Sequence, residues 1–161
     1  MKPSIYIETS VISYLTARLS KDLIVAAHQQ VTHEWWENSL KHFSPYISPV
    51  VLDEVSKGDK EAAQLRLEKI KNFTILKIND DIKQLSETYY SSLPIPEKAK
   101  ADTYHLAIVS WYNIDFLVTW NCSHLANGFI IRELKKINFN LGVNTPGICT
   151  PEELMEVFNE G

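Results

Sequence analysis

Four acidic or amide side chains stand where apolar, strand-like runs give way to helical sequence. They are Glu8 after SIYI, Glu54 after YISPVVLD, Asp102 within KAKADTYHLA and Asn121 after FLVTW. A carboxylate beside an apolar core is unfavourable unless something positive offsets it. No Lys or Arg lies beside Glu8 or Asn121 in the sequence. If these strands converge, the natural counter-charge is a divalent cation, and the chemistry such a cluster serves is phosphoryl transfer.

Each position has a simpler reading. Glu8 reads as a metal ligand or as a helix N-terminal acid favoured by the backbone dipole. Asp53 and Glu54 are adjacent and point in different directions on a helix; Glu54 is preferred, although spacing alone does not separate them. Asp102 and His105 are three residues apart and share a helix face, which Leu106 and Val109 continue into the core. His105 either supports Asp102 from behind a metal site or is a core histidine bonded to an aspartate. Thr119, Asn121, Ser123 and His124 form a polar cluster in TWNCSHL, where Asn121 offers an uncharged ligand atom or caps a helix. Trp35, Trp36 and Phe43 read as core packing or, for the second tryptophan, a partner surface. Arg18, Lys98 and Lys100 read as phosphate contacts or as solvated charges.

Strands and helices alternate to position these groups. Strands are expected at Ser4–Ile7, Tyr46–Ser48, Phe73–Ile78, Asp115–Thr119 and Gly147–Thr150. Thr9 or Ser10 is expected to cap a helix to Ala17, and Asp22 one running to Phe43 with Ile24, Ala27, Val31 and Trp35 as its apolar stripe. Pro49 opens a helix to Ser56 that Gly58 ends, and Asp59 caps one to Asn72. Asp80 or Asp81 starts a helix to Ser91; SSLPIPEKAK is a loop that runs into a buried helix, Glu97 to Tyr112. A short helix through Leu125, another from Asn127 to Ile137 and a final one in PEELMEVF complete the chain. This alternation implies a parallel sheet covered on both faces. Right-handed crossovers put the strand-to-helix turns at one rim, where such sheets hold their sites.

The 161 residues suit one domain, residues 1–161, and 45% hydrophobic content supplies its core. A net charge of -4 excludes an all-over basic nucleic-acid surface, so a nucleic-acid substrate needs a local basic patch or metal ions. Cys122 and Cys149 have no metal-ligand spacing and read as free thiols of a reducing compartment. The opening MKPSIYIETS lacks a signal-peptide pattern, and no apolar run approaches the ~20 residues that cross a membrane. A soluble, cytoplasmic protein is expected.

IYIETSVISYL, SPVVLDEVSKGD, KADTYHLAIV and FLVTWNCSHLAN, in that order, resemble the PIN domain, and within it the VapC-like toxins of type II toxin–antitoxin pairs. The resemblance covers nearly the whole chain. It implies an α/β/α sandwich around a parallel sheet of four to five strands, and an endoribonuclease that uses Mg²⁺ or Mn²⁺. Its implied partners are an RNA substrate, a cognate antitoxin and, in many members, a second copy as homodimer. By motif, Glu8 takes the place of the usual first-strand aspartate, and Glu54 and Asp102 match the second and third acids. Asn121 falls where many members carry a fourth acid, and Ser10 matches a hydroxyl often found beside the metal. Ser10, His105, Thr119, Ser123 and His124 are then positioning residues. Two departures stand out: Glu8 is one methylene longer than aspartate, and Asn121 removes a charge. Three carboxylates suffice for one Mg²⁺, which takes one or two and keeps several waters.

Two rivals remain. A phosphotransfer or receiver-type protein needs an Asp nucleophile, where this chain has Glu8 and a strand ending in Thr-Trp-Asn. A PIN-like binding module with a decayed site would act only through its partner surface.

Overall fold

The computed structural model describes residues 1–155. Its five strands are β1 (Ser4–Ile7), β2 (Ser44–Ile47), β3 (Thr74–Ile75), β4 (Phe116–Val118) and β5 (Gly147–Cys149). The helices are α1 (Thr9–Thr16), α2 (Leu23–Asn38), α3 (Pro49–Val55), α4 (Lys60–Ile70), α5 (Asp80–Ser92), α6 (Ala101–Trp111) and α7 (Gly128–Leu141). All strand pairings are parallel, in the order β3-β2-β1-β4-β5. The chain steps from β1 outward to β3, then returns to β4 and β5 on the other side. With right-handed crossovers, α1–α4 cover one face and α5–α7 the other. The order reverses between β1 and β4, and the carboxyl ends at such a switch point are where sheets of this kind form ligand crevices.

The sequence dictates this locally. Ile5 and Ile7 are fully buried and alternate with Tyr6, so β1 presents apolar side chains to both faces, as a central parallel strand must. Ser4 fixes the register at the opposite rim: its backbone N–H donates to Asp115 at 2.8 Å, and its hydroxyl accepts the Asp115 N–H at 2.8 Å. Pro49 sits in the first turn of α3, and the Ser48 hydroxyl accepts from Val50 and Val51. Asp22, Asp59 and Asn127 cap α2, α4 and α7, and Gly142, in the left-handed region at φ 69°, closes α7.

Several expected boundaries move. The cap of α1 is Glu8 itself, whose side chain accepts the Ser10 N–H, and not Thr9 or Ser10. The second strand is Ser44–Ile47, because Ser48 is used as the α3 cap. The third shrinks to Thr74–Ile75, since Leu76 makes the last bond to Ile47 and turns inward. The helix expected to reach Phe43 ends at Asn38, followed by a 3₁₀ turn at Leu40–His42. Residues 97–112 split into a 3₁₀ turn at Glu97–Ala99 and α6. The short helix expected before Leu125 is a turn, because the Asn121 side chain takes the Ser123 and His124 amides. Of PEELMEVF, Glu152–Leu154 form a 3₁₀ turn, and the end of that helix lies outside the described residues.

The apolar stripe of α2 is also replaced. Ile24 is 70% exposed, and the buried residues are Gln29, Thr32 and Trp35. Gln29 accepts from Ser20 N–H and donates to the Arg18 carbonyl, both at 2.9 Å, and so straps the α1–α2 loop. Thr32 accepts the Trp120 indole N–H at 2.7 Å. Trp36 packs on Phe73 with ring centres 5.7 Å apart, so both tryptophans are packing residues. Lys100 pairs with Glu87 at 3.1 Å and lies over the Tyr90 ring, as a solvated charge does.

Behind the sheet, the Tyr89 hydroxyl donates to Asn138, whose amide donates to Ser110 and Thr145, tying α5, α6 and α7 together. Burial pushes the Tyr89 phenol up to about 12. A pKa raised on folding stabilises below the unfolded value of about 10 and loses that contribution as pH rises toward 12. Tyr89→Phe should therefore cost about 1–2 kcal/mol at neutral pH, with Asn138 left short of a donor. Denaturant unfolding should show that gap narrowing between about pH 10 and pH 12; a gap that stays constant refutes the linkage.

Candidate metal centre at the carboxyl rim

Glu8 follows β1 directly, is 5% exposed, and continues the side-chain alternation that points Tyr6 toward α6. Its Oε1 accepts from the Ser10 hydroxyl at 2.5 Å, the Thr119 hydroxyl at 2.6 Å and the Ser10 N–H at 3.2 Å. Thr119 closes the carboxyl end of β4, so this pairing bridges the two central strands across the switch point. The Ser10 hydroxyl also accepts the Trp120 N–H at 2.9 Å. Trp120 stacks on His28, ring centres 4.1 Å apart, and its bond to Thr32 anchors the β4 rim to α2.

Glu54 comes from the second turn of α3 and is half-buried, whereas Asp53 is exposed and pairs with Lys57 at 3.1 Å. The structure thus separates two residues that spacing could not. Glu54 Oε1 accepts from the Thr9 hydroxyl at 2.7 Å and from His105 Nε2 at 2.8 Å. His105 is fully buried, and its Nδ1 meets the Tyr6 hydroxyl at 2.7 Å, which meets the Ser48 hydroxyl at 2.7 Å. With His105 neutral, one consistent direction runs through the chain: Ser48 donates to Tyr6, Tyr6 to Nδ1, and Nε2–H to Glu54. With His105 charged, the Tyr6 and Ser48 protons simply reverse.

The electrostatics follow. Burial works against the charged form of His105, but the bond to Glu54 and the charges of Glu8, Glu54 and Asp102 outweigh it and raise its pKa. Burial works against ionised Glu54 too, but the His105 bond, the His105 charge, Thr9 and Lys57 together hold it below the ordinary value. Burial, reinforced by the charges of Glu8 and Glu54, pushes Tyr6 well above its usual range. Tyr6 stays a neutral hydroxyl.

Ligand atoms of Glu8, Glu54 and His105 lie within 4.8 Å of one another. Both His105 ring nitrogens are already engaged, so it holds Glu54 in place and leaves the two carboxylates as donors. Asp102, 9% exposed in the first turn of α6, stands outside this tight group, one helical turn before His105. Its Oδ2 accepts from Asn121 Nδ2 at 3.2 Å and meets His124 Nδ1 at 3.1 Å. Asn121 is used at both ends of its amide, since its oxygen takes the turn amides. Ser123 is exposed at the mouth.

Two features fit a cation. The hydrogen bonds to these carboxylates fall on Oε1 of Glu8, Oε1 of Glu54 and Oδ2 of Asp102, so each keeps its other oxygen for a ligand. Among the described residues no Lys or Arg pairs with any of them; Glu54 and Asp102 pair with His105 and His124, and Glu8 makes no ion pair. Tyr6, Thr9, Ser48 and Trp120 did not stand out in the sequence. A tyrosine inside a strand and hydroxyls beside helix starts look like ordinary core and capping residues, and only the sheet order reveals what they touch.

No protein-family model matches the chain, and neither does any curated protein sequence. Its fold does match solved structures. One is Mycobacterium tuberculosis VapC20, described as a toxin that cleaves the sarcin–ricin loop, at TM-score 0.58 and 15% identity over 74% of this chain and 92% of that one. Another is VapBC2 from Rickettsia felis, bound to a DNA fragment from its promoter, at TM-score 0.57 and 16% identity over 91% of this chain and 97% of that one. The architecture is the PIN-like fold that the motifs imply.

Proposed function

We propose that this chain is a metal-dependent endoribonuclease and the toxin of a toxin–antitoxin pair. What supports the proposal is the approach of Glu8 and Glu54 to within 4.8 Å of each other and of His105, with no Lys or Arg paired to either among the described residues. Glu8 and Glu54 would hold Mg²⁺ or Mn²⁺ as paired donors, with Asp102 completing the site from its flank. A bound ion supplies Lewis-acid activation of water and offsets charge on the phosphodiester and its leaving oxygen. The products expected of such hydrolysis carry 5′-phosphate and 3′-hydroxyl ends.

The protein's own part is orientation. Ser10 and Thr119 fix Glu8; Thr9 and His105 fix Glu54; Asn121 and His124 fix Asp102. Ser123, which is exposed, and His124, which is half-buried, would then be the side chains to meet the substrate. RNA offered as a loop or single strand suits such a rim, because unstacked bases leave the backbone accessible. The VapC20 description supports a structured RNA target, and the VapBC2 complex supports a cognate antitoxin; a homodimer and a cytoplasmic location complete the reading. Among the described residues no helix is long and apolar enough to cross a membrane.

The test is cleavage of single-stranded and loop RNA by the purified chain with Mn²⁺, Mg²⁺ or EDTA, beside Asp102→Ala. Wild type should cleave with metal and stop with EDTA, and Asp102→Ala should lose activity with an unchanged circular dichroism spectrum. Cleavage by both proteins defeats the proposed site. Cleavage by neither, under several metals, leaves a binding module.

A further inference from the structure

The rim that gathers the acids does not end at Glu54. Beyond it, at the carboxyl ends of β2 and β3, lies an open cavity of about 610 Å³ lined by Pro49, Val50, Lys77, Ile78, Lys83 and Tyr104. Val50 is one turn before Glu54 on α3, about 6 Å along the helix axis. Tyr104 precedes His105 on α6. The cavity therefore starts about one helical turn from Glu54 along α3, and its lining holds two lysines and no acid.

We propose that this cavity is the groove for the single-stranded RNA that flanks the bond to be cut: Lys77 and Lys83 take backbone phosphates, and Tyr104 stacks a base. This rests on the nuclease reading above and assigns its substrate path. The charge pattern favours it. Lys77 makes no ion pair among the described residues, and Lys83 meets only Asp80, at 3.9 Å with both side chains exposed. The backbone behind Lys77 is held, because its carbonyl accepts the Tyr112 hydroxyl at 2.6 Å. The half-buried Tyr104 shares this lining with the apolar Pro49, Val50 and Ile78. Stacking on such a ring tolerates any base. Juxtaposed cations and acids also resolve the problem posed by a net charge of -4. The backbone is drawn to the lysines, and only the scissile phosphate lies over the carboxylates.

Other cationic hollows are worse placed. One, at Lys135, Lys136, Phe139 and Asn140, lies in the second half of α7, which runs away from this rim. Another, at Met1, Lys2, Pro3, Asp115 and Phe116, opens at the amino ends of β1 and β4.

The test compares wild type, the double variant Lys77→Ala/Lys83→Ala and the control Lys135→Ala/Lys136→Ala. A fluorescein-labelled single-stranded RNA is titrated in EDTA over a series of salt concentrations, and cleavage is measured with Mn²⁺. The groove variant should raise KM about 10-fold with kcat within about twofold. Its log–log salt slope should flatten by about 1.4, the value for two lost phosphate contacts on a single strand. The control should match wild type in all three. Tyr104→Ala should weaken binding without changing the salt slope. Unchanged KM and salt slope in an actively cleaving groove variant overturn the groove and leave the nuclease reading intact. A wild type that binds through these lysines but does not cleave keeps the groove and overturns the catalysis. A wild type that neither binds nor cleaves overturns both.

Discussion

Glu54→Gln should lower metal-dependent RNA cleavage at least about 100-fold, equivalent to about 2.7 kcal/mol of barrier, while the protein stays folded. Glutamine keeps the shape of the side chain and can still accept from Thr9 and His105 through its carbonyl oxygen. What it loses is the charge, and with it the anionic oxygen that no protein donor uses. Mn²⁺ affinity, followed by calorimetry, should fall in step with activity. The neighbouring Asp53→Asn is the control, because Asp53 points to solvent and Lys57 and should leave activity within about twofold; exposed pairs of that kind contribute little. Equal losses from both substitutions would mean that the identity of the α3 acid is wrong. An unaffected Glu54→Gln would remove the site altogether.

The second large effect concerns a residue that need not touch the ion. His105→Ala should cost about 3 kcal/mol of stability, a fall in melting temperature of about 6–12 °C. The imidazole is fully buried and bonded at both nitrogens, so its removal leaves a cavity and strips partners from the Tyr6 hydroxyl and from Glu54. His105→Gln fills much of the space and separates packing from orientation. It should fold, yet bind Mn²⁺ about 10- to 100-fold more weakly, the usual penalty when the partner of a ligand is changed. Tyr6→Phe, which removes only the hydroxyl, should cost about 1 kcal/mol. If His105→Gln binds metal as tightly as wild type, the Tyr6–His105–Glu54 chain is merely structural.

Much of this arrangement was readable beforehand, and the failures have a common cause. Alternating apolar runs and caps gave the five strands in order, because β-branched segments between Asp, Ser and Pro boundaries leave few alternatives. The parallel topology then implies that Glu8, Glu54 and Asn121 share a rim, with Asp102 joining them if its helix starts there. Local patterns failed where a residue's purpose is tertiary. Thr32 and Gln29 look like solvent-facing residues of α2, yet they are buried because Trp120 and the α1–α2 loop need their polar atoms. Asn121, by sequence a ligand or a cap, caps the turn with its oxygen and steadies Asp102 with its nitrogen. The charge it lacks is one that would repel Asp102. Lys77 carried no signal at all, since an isolated lysine after a short edge strand means nothing until the sheet places it beside α3.

The bond from Thr119 to Glu8 spans 111 residues of chain, as does the clamp between Ser4 and Asp115. The central strand is thus made well before β4, the neighbour that clamps it. At about 5–20 residues per second that delay is roughly 5–20 s. Pairing across such a separation is also slow in itself. A chain stopped before β4 contains Glu8 without the Thr119 hydroxyl that orients it. On the nuclease reading, the rim would be assembled only once β4 is made, which puts a built-in interval between translating Glu8 and completing the site around it.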